Sequence, residues 1–290
     1  MDAISVFAEL LRGANQALRF NMVEVGARPI HQGEEPFYSL LSLFPGSRID
    51  ALEPDEKLCA RQNEVARPGL TFHPLALGRT EERRTFYETR DPMCSSLYQP
   101  NEAVLDRYNN LDVARTKRTT TIETMSLDRF VGGLDVESID FIKIDIQGGE
   151  LDVFQGGCST LENVLAIVTE AAFIEHYVDQ PLFGDVCAFL TSQGMQFQKI
   201  LGAGGRTLKP VVLNNDPNFC GQQLWADVLF FQDMFCGREL SSHQHLKLAV
   251  LALMYGCLDL ALVCCGRVDE REGQSIGPRL VERLNAASGR

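Results

Sequence analysis

The sequence predicts an α/β fold built on a mostly parallel sheet with helices on both faces. Strand-like apolar runs alternate with helix-like amphipathic runs from residue 3 to residue 231. The run Ile139 to Ile144 reads as a strand buried on both faces, which is typical of parallel sheets. The runs close on Gly26, Glu53, Gly78, Asp145 and Glu170, and no internal repeat or low-complexity linker interrupts them.

The elements follow in order. Ile4, Phe7, Leu10, Leu11, Ala14 and Leu18 fall at helical spacing, so residues 3–18 are predicted as an amphipathic helix. Residues 20–25 form a strand ending at Gly26-Ala27. A helix over 36–44 follows, with Pro36 suited to its first turn. A strand spans 48–52, then a helix 55–65 that Asp55 can cap, then a strand 70–76. Residues 79–125 break the rhythm: 84–88 and 116–123, rich in Thr and Tyr, read as antiparallel β segments. Ser126-Leu127-Asp128 starts a short helix. The strand 139–144 leads to a helix from about Glu150, and the strand 164–169 ends at Glu170. A helix spans 182–193 with Gly194 as its stop, and strands follow at 195–200 and 225–231. The tail from 239 to 285 is predicted helical, with separate helices at 238–265 and 278–286.

Composition narrows the function. With 45% hydrophobic and 23% charged residues the chain is an ordinary globular protein. Its formal net charge of −12 opposes binding to nucleic acid or to an anionic membrane. The basic run Arg115 to Arg118 reads as a strand edge or solvated face. Nine cysteines, at 59, 94, 158, 187, 220, 236, 257, 264 and 265, include no CxxC pair. They predict reduced thiols rather than a zinc cluster. The N-terminus lacks a basic region followed by an apolar core, so no signal peptide is expected and the location is predicted as cytoplasmic. Leu246 to Cys265 is about as long as a membrane span, but Lys247 and Asp259 make it a buried helix or helix pair.

In open α/β sheets, ligands bind beyond the carboxyl ends of the strands. Gly26 lets the backbone turn sharply and approach a ligand, but no GxGxxG surrounds it, which counts against a dinucleotide and a dehydrogenase. Glu53 can accept hydrogen bonds from both ribose hydroxyls, or start the next helix. Asp145 can bind an amine, a substrate hydroxyl or a metal, or cap the helix behind it. Glu170 is a candidate for a substrate or metal role, and His176 for a base. A divalent metal finds no support beyond these carboxylates.

The ordered blocks resemble a known family. Ser126-Leu127-Asp128 and Ile139-Asp140-Phe141-Ile142-Lys143-Ile144-Asp145-Ile146-Gln147-Gly148-Gly149-Glu150-Leu151 are similar to the signature of the FkbM methyltransferases, with Gln147 in place of the commoner Glu and Gly149 in place of Ala. Val25-Gly26-Ala27, Leu52-Glu53-Pro54, Ala76-Leu77-Gly78, Ser95-Ser96-Leu97 and Val168-Thr169-Glu170 also match, so the resemblance covers residues 20–232. It implies a Rossmann-like class I methyltransferase fold with a mostly parallel seven-stranded sheet, S-adenosylmethionine as donor, and a hydroxyl acceptor on a sugar, polyketide or other small molecule. By that likeness Gly26 and Ala27 line the methionine part, Glu53 holds the ribose, Ala76 and Leu77 lie near the adenine, and Glu24 and Pro54 also bind the cofactor. Asp145 borders the transfer site. From their places at or just after strand tips, Asp145, Glu170 or His176 is the expected base.

The division expected is an N-terminal helix (1–19), a methyltransferase domain (20–237) with the 79–125 β insertion near the acceptor, and a helical extension (238–290). Family members carry Asn and Gly where this chain has Arg28 and Ile30, with Pro29 between. Arg28 is a candidate for the methionine carboxylate. The bulkier loop also motivates a competing reading, a non-catalytic binding or assembly protein; N-methylation stays open as well. The tail's stripe of Leu246, Val250, Leu253, Met254 and Cys257 packs on the domain, forms a homodimer seam, or covers the acceptor site.

Overall fold

A computed structural model describes residues 2–29, 35–216, 219–235 and 238–287, so Ile30, Cys236 and the expected boundary at residue 237 lie outside them. Among the described residues ten strands are formed: β1 (Asn21–Val25), β2 (Arg48–Leu52), β3 (Leu70–His73), β4 (Ala76–Gly78), β5 (Arg83–Thr89), β6 (Thr116–Ser126), β7 (Phe141–Ile144), β8 (Ala166–Ala172), β9 (Met195–Gly205) and β10 (Gln223–Gln232). Seven of them make one sheet in the order β3-β2-β1-β7-β8-β10-β9, and β4-β6-β5 make a second. The pairs among β3, β2, β1, β7 and β8 are parallel, and β10 runs antiparallel to both β8 and β9. The strand order reverses between β1 and β7. Connections leave that point in opposite directions, which opens a crevice beyond the strand ends.

Alternation along each strand builds two cores. Met22, Ile49, Phe141, Val168 and Leu229 face one side. Val23, Ile142, Ile144, Ile167 and Phe230 face the other. Helices Leu127–Gly132, Glu150–Gln155 and Phe183–Ser192 pack on the second side. The helix Ala3–Gly13 and the C-terminal helices Ser242–Met254, Leu258–Glu272 and Ile276–Ala287 pack on the first. The tail is therefore a layer of the domain, as the apolar stripe allowed.

Several boundaries differ from the sequence reading. The first helix stops at Gly13, with Asn15 in the left-handed region at φ 56°. The run 70–76 splits, because Ala76 leaves the main sheet to pair with Thr124 of β6. β8 continues to Ala172, so Glu170 sits inside the strand opposite Asp227 rather than at its tip. The tail holds three helices instead of two, broken first at Gly256 with φ 69°. No described helix is long and apolar enough to cross a membrane. Asp55 does cap its helix, accepting from the Leu58 N–H at 3.0 Å.

One ion pair fastens the tail to the sheet. Lys247 Nζ donates to both carboxylate oxygens of Asp140 at 2.8 Å, and Asp140 also accepts from the Asn21 N–H at the start of β1. Both side chains are buried. Removing one partner of such a pair strands the other charge and costs about 3–5 kcal/mol. Lys247→Met is therefore expected to lower the unfolding free energy by about that much, read from chemical denaturation.

Candidate active site

Three strand tips are drawn together by backbone geometry. Gly26 and Ala27 both donate to the Leu52 carbonyl at 3.0 Å, and Asp145 donates to the Val25 carbonyl at 3.0 Å. Gly26 has φ 83°, and a Cβ there would lie 2.0 Å from the Asp145 carbonyl oxygen. Only glycine permits both the turn and this approach.

Beyond the tips lies a cavity of about 620 Å³. Glu24, Gly26, Ala27 and Arg28 line it from β1 and its turn, and Glu53 and Pro54 from the end of β2. Ala76 and Leu77 join from β4, and Asp145 from the end of β7. Glu24, Gly26, Ala27, Arg28, Glu53, Pro54, Ala76, Leu77 and Asp145 thus share one crevice. Phe86, Glu88, Met93, Ser95, Leu97 and Ile122 of the 79–125 insertion form a further part of its wall. No described residue of the tail lines it.

The charges are unevenly shared. Arg28 lines the cavity with its guanidinium paired to Glu53 at 3.1 Å and Asp55 at 3.5 Å. Glu53 Oε1 accepts from Arg28 and from the Asp55 N–H, while Oε2 has no partner among the described residues. Tyr38 Oη donates to Glu24 Oε2 at 2.5 Å. Burial nevertheless pushes the Glu24 carboxyl up to about 7, against the pull of Tyr38 and Lys143. Lys143, paired with Glu24 across β1 and β7, also lines the cavity. Burial opposes its charge, but Asp145, Asp227, Glu35 and Glu170 outweigh this and hold it above the usual lysine range.

Gln147 organises the β7 tip. Its side-chain amide donates to Asp145 at 2.8 Å and to Glu170 at 2.9 Å, and its carbonyl oxygen accepts from Tyr177 at 3.2 Å. Its own backbone is left-handed, with φ 60°. Glu170 lies behind this amide and does not line the cavity; burial, then Asp145 and Glu150, push its carboxyl well above the usual range. His176, the other candidate base, lies outside the cavity lining. Its ring packs edge-on to Trp225 at 5.7 Å, away from the cavity wall, and Nε2 is buried without a partner among the described residues. Burial depresses it to about 4, which makes it a weak base.

Lys143 and Gln147 carry no role that the sequence alone assigns. The signal for Lys143 was a charge inside an apolar strand; for Gln147 it was the departure from the family pattern. Nothing in the local sequence marked Tyr38. Among the described residues, no group of three or more His, Cys, Asp or Glu is placed to hold a metal ion.

The strand order, the antiparallel β10 and the cavity at the switch point define the fold of a class I methyltransferase. Residues 21–197 match the methyltransferase FkbM domain, and the chain belongs to the FkbM methyltransferase family. A curated relative, the 2-O-methyltransferase NoeI of Sinorhizobium fredii strain NGR234, is 28% identical over 148 residues, which is 49% of this chain and 58% of that protein. Among solved structures, the methyltransferase FkbM of Methylobacillus flagellatus is 17% identical with a TM-score of 0.38, over 78% of this chain and 47% of that one. The N-terminal domain of EvdMO1 with S-adenosylhomocysteine bound is 10% identical with a TM-score of 0.33, over 80% of this chain and 81% of that one.

Two outcomes follow from this geometry. Gly26→Ala should lower stability by at least about 2 kcal/mol, since left-handed strain and a backbone clash coincide. Glu24 carries the second. Its folded pKa near 7 exceeds the unfolded 4.5, so the folded state holds the proton more tightly. That contribution is complete below pH 4.5 and is lost as the pH rises through 7. Melting temperatures of Glu24→Gln should therefore fall less between pH 5 and 7 than those of the unaltered protein.

Proposed function

We propose that this chain is an S-adenosylmethionine-dependent methyltransferase that methylates a hydroxyl of a small molecule such as a sugar, a polyketide or another secondary metabolite. The observation that carries the reading is the convergence of Gly26, Glu53 and Asp145 on one crevice at the switch point. The residues present fit the nucleoside. The Gly26 turn brings the β1 and β7 tips together at the crevice, and Glu53 keeps Oε2 available for ribose hydroxyls. Leu75, Ala76 and Leu77 offer a largely apolar surface for adenine, and Glu24 and Ala27 flank the methionine part. When bound, S-adenosylmethionine supplies a methyl group already activated by a sulfonium.

The protein's share of the chemistry is alignment and proton removal. A neutral hydroxyl is a poor nucleophile, so a base must take its proton as the oxygen attacks. Asp145 lines the cavity and fits that role; Gln147 holds its Oδ1, and Glu170 supports the arrangement from behind. Met93, Ser95 and Leu97 of the 79–125 insertion then form the acceptor side.

Calorimetry with S-adenosylhomocysteine tests the first half. Binding by the unaltered protein, weakened tenfold or more in Glu53→Gln, is expected; no binding favours the assembly reading instead. For the second half, labelled donor is supplied with small-molecule extracts of the source cells. Asp145→Asn should cut methyl incorporation by about 10²–10⁴-fold, while its affinity for S-adenosylhomocysteine stays within threefold.

A further inference from the structure

The tip of β7 departs from the family pattern at one residue, Gln147, where Glu is commoner. Its backbone is left-handed at φ 60°, a conformation that a residue with a side chain adopts at a cost. Ser96 Oγ donates to its carbonyl at 2.7 Å and helps to hold it there. The side chain then lies on the cavity wall between two carboxylates and a phenol. Nε2 donates to Asp145 Oδ1 at 2.8 Å and to Glu170 Oε2 at 2.9 Å, so both N–H groups are spent. The amide oxygen faces Tyr177 Oη at 3.2 Å. A flipped amide would set that oxygen against the carboxylates, so the orientation is fixed.

One oxygen is left for chemistry. Asp145 Oδ1 is occupied by the amide, whereas Oδ2 accepts no hydrogen bond among the described residues and meets Lys143 Nζ at 3.7 Å. We infer that Gln147 is the positioning residue of the transfer site: it turns Asp145 so that Oδ2 meets the acceptor hydroxyl, and it spares the site the proton that a third carboxylate would bring between Asp145 and Glu170. This rests on the methyltransferase reading above and assigns the residue within it that sets the charge of the base. As the acceptor oxygen bonds the methyl carbon, its proton passes to Asp145 Oδ2, and the electron pair of the broken carbon–sulfur bond stays on sulfur.

The surroundings make that proton count sensitive. Facing the bridge are Lys143 from β7, Glu150 from the helix behind it, Glu170 from β8 and Asp227 from β10. Glu24 of β1 and Glu35 complete the acids around Lys143. Tyr177 and Cys94 also lie close, with Arg206 beside Cys94; burial keeps both neutral and pushes the Cys94 thiol up to about 12. Burial and then Asp145 already raise the Glu170 carboxyl well above its usual range. One more acid here would be paid for with a bound proton, whereas an amide donates to ionised oxygens without adding charge.

The test is Gln147→Glu on the full chain, which keeps the side-chain length and removes both donors. Methyl incorporation from labelled S-adenosylmethionine into small-molecule extracts is followed from pH 5.5 to 9, with EDTA present so that no divalent cation replaces the proton. The acid-side midpoint of the profile should move up by at least about one pH unit. A profile lowered evenly at every pH, with its midpoint in place, overturns the inference, because a merely structural role predicts that result. Where the extracts yield no product, stability reads the same proton. In the variant the folded state holds the new proton more tightly than the unfolded chain, a contribution complete below about pH 4 and lost as the pH rises through the folded value. The melting-temperature gap to the unaltered protein should therefore widen from pH 5.5 to 8, and a constant gap refutes the inference. If Gln147→Glu does not fold, Gln147→Met decides by the same readings: an upward shift or a widening gap supports the role, and neither refutes it. Failure of the unaltered protein to bind S-adenosylhomocysteine refutes the methyltransferase reading itself.

Discussion

The backbone of Asp145 passes over Gly26 with no room for a side chain between them. Three hydrogen bonds, from Gly26 and Ala27 to Leu52 and from Asp145 to Val25, hold the tips of β1, β2 and β7 in one plane of approach. The groups at the strand tips that line the crevice take their positions from this contact. Glu24 and Lys143 sit one step below it, Glu53 one step to the side, and Gln147 just beyond. A bulkier turn would separate the tips and scatter these groups, even with every side chain retained.

The crevice is also an electrostatic construction. Burial alone disfavours charge, and it raises Glu24, Glu35, Glu170 and Asp227 together. One lysine in their midst makes the cluster tolerable, and in turn is held charged by them. Gln147 adds a neutral bridge between Asp145 and Glu170, so that two carboxylates lie close with an amide between them instead of a third negative charge. Carboxylates arranged in this way suit a ligand that brings its own positive charge.

Two parts of the chain outside the parallel strands complete the domain in different ways. The 79–125 insertion folds back as β5 and β6, paired antiparallel from Arg83 to Thr89, and walls the cavity with Phe86, Met93 and Ile122. Its basic run is neutralised locally: Arg115 pairs with Glu102, Asp106 and Asp112, and Arg118 with Glu88. The C-terminal helices instead cover the sheet face lined by Phe141 and Leu229, with Lys247 anchored on Asp140. They bury apolar surface there, and such burial is the dominant favourable term in folding.

Much was legible in the sequence because it is local or periodic. The alternation of strand and helix, the glycine turn after β1, the acid after β2, the cap at Asp55 and the buried run before Asp145 each depend on a few neighbouring residues. The ordered blocks fixed the family. What local pattern cannot encode is which distant groups meet. Ala76 left the main sheet for Thr124, Glu170 was carried inside β8 by pairing with Asp227, and His176 turned to Trp225 rather than the crevice. Arg28 found Glu53, and Lys143 found its ring of acids. Those outcomes rest on long-range pairing and on desolvation, and both come into being only when strands far apart in sequence lie side by side.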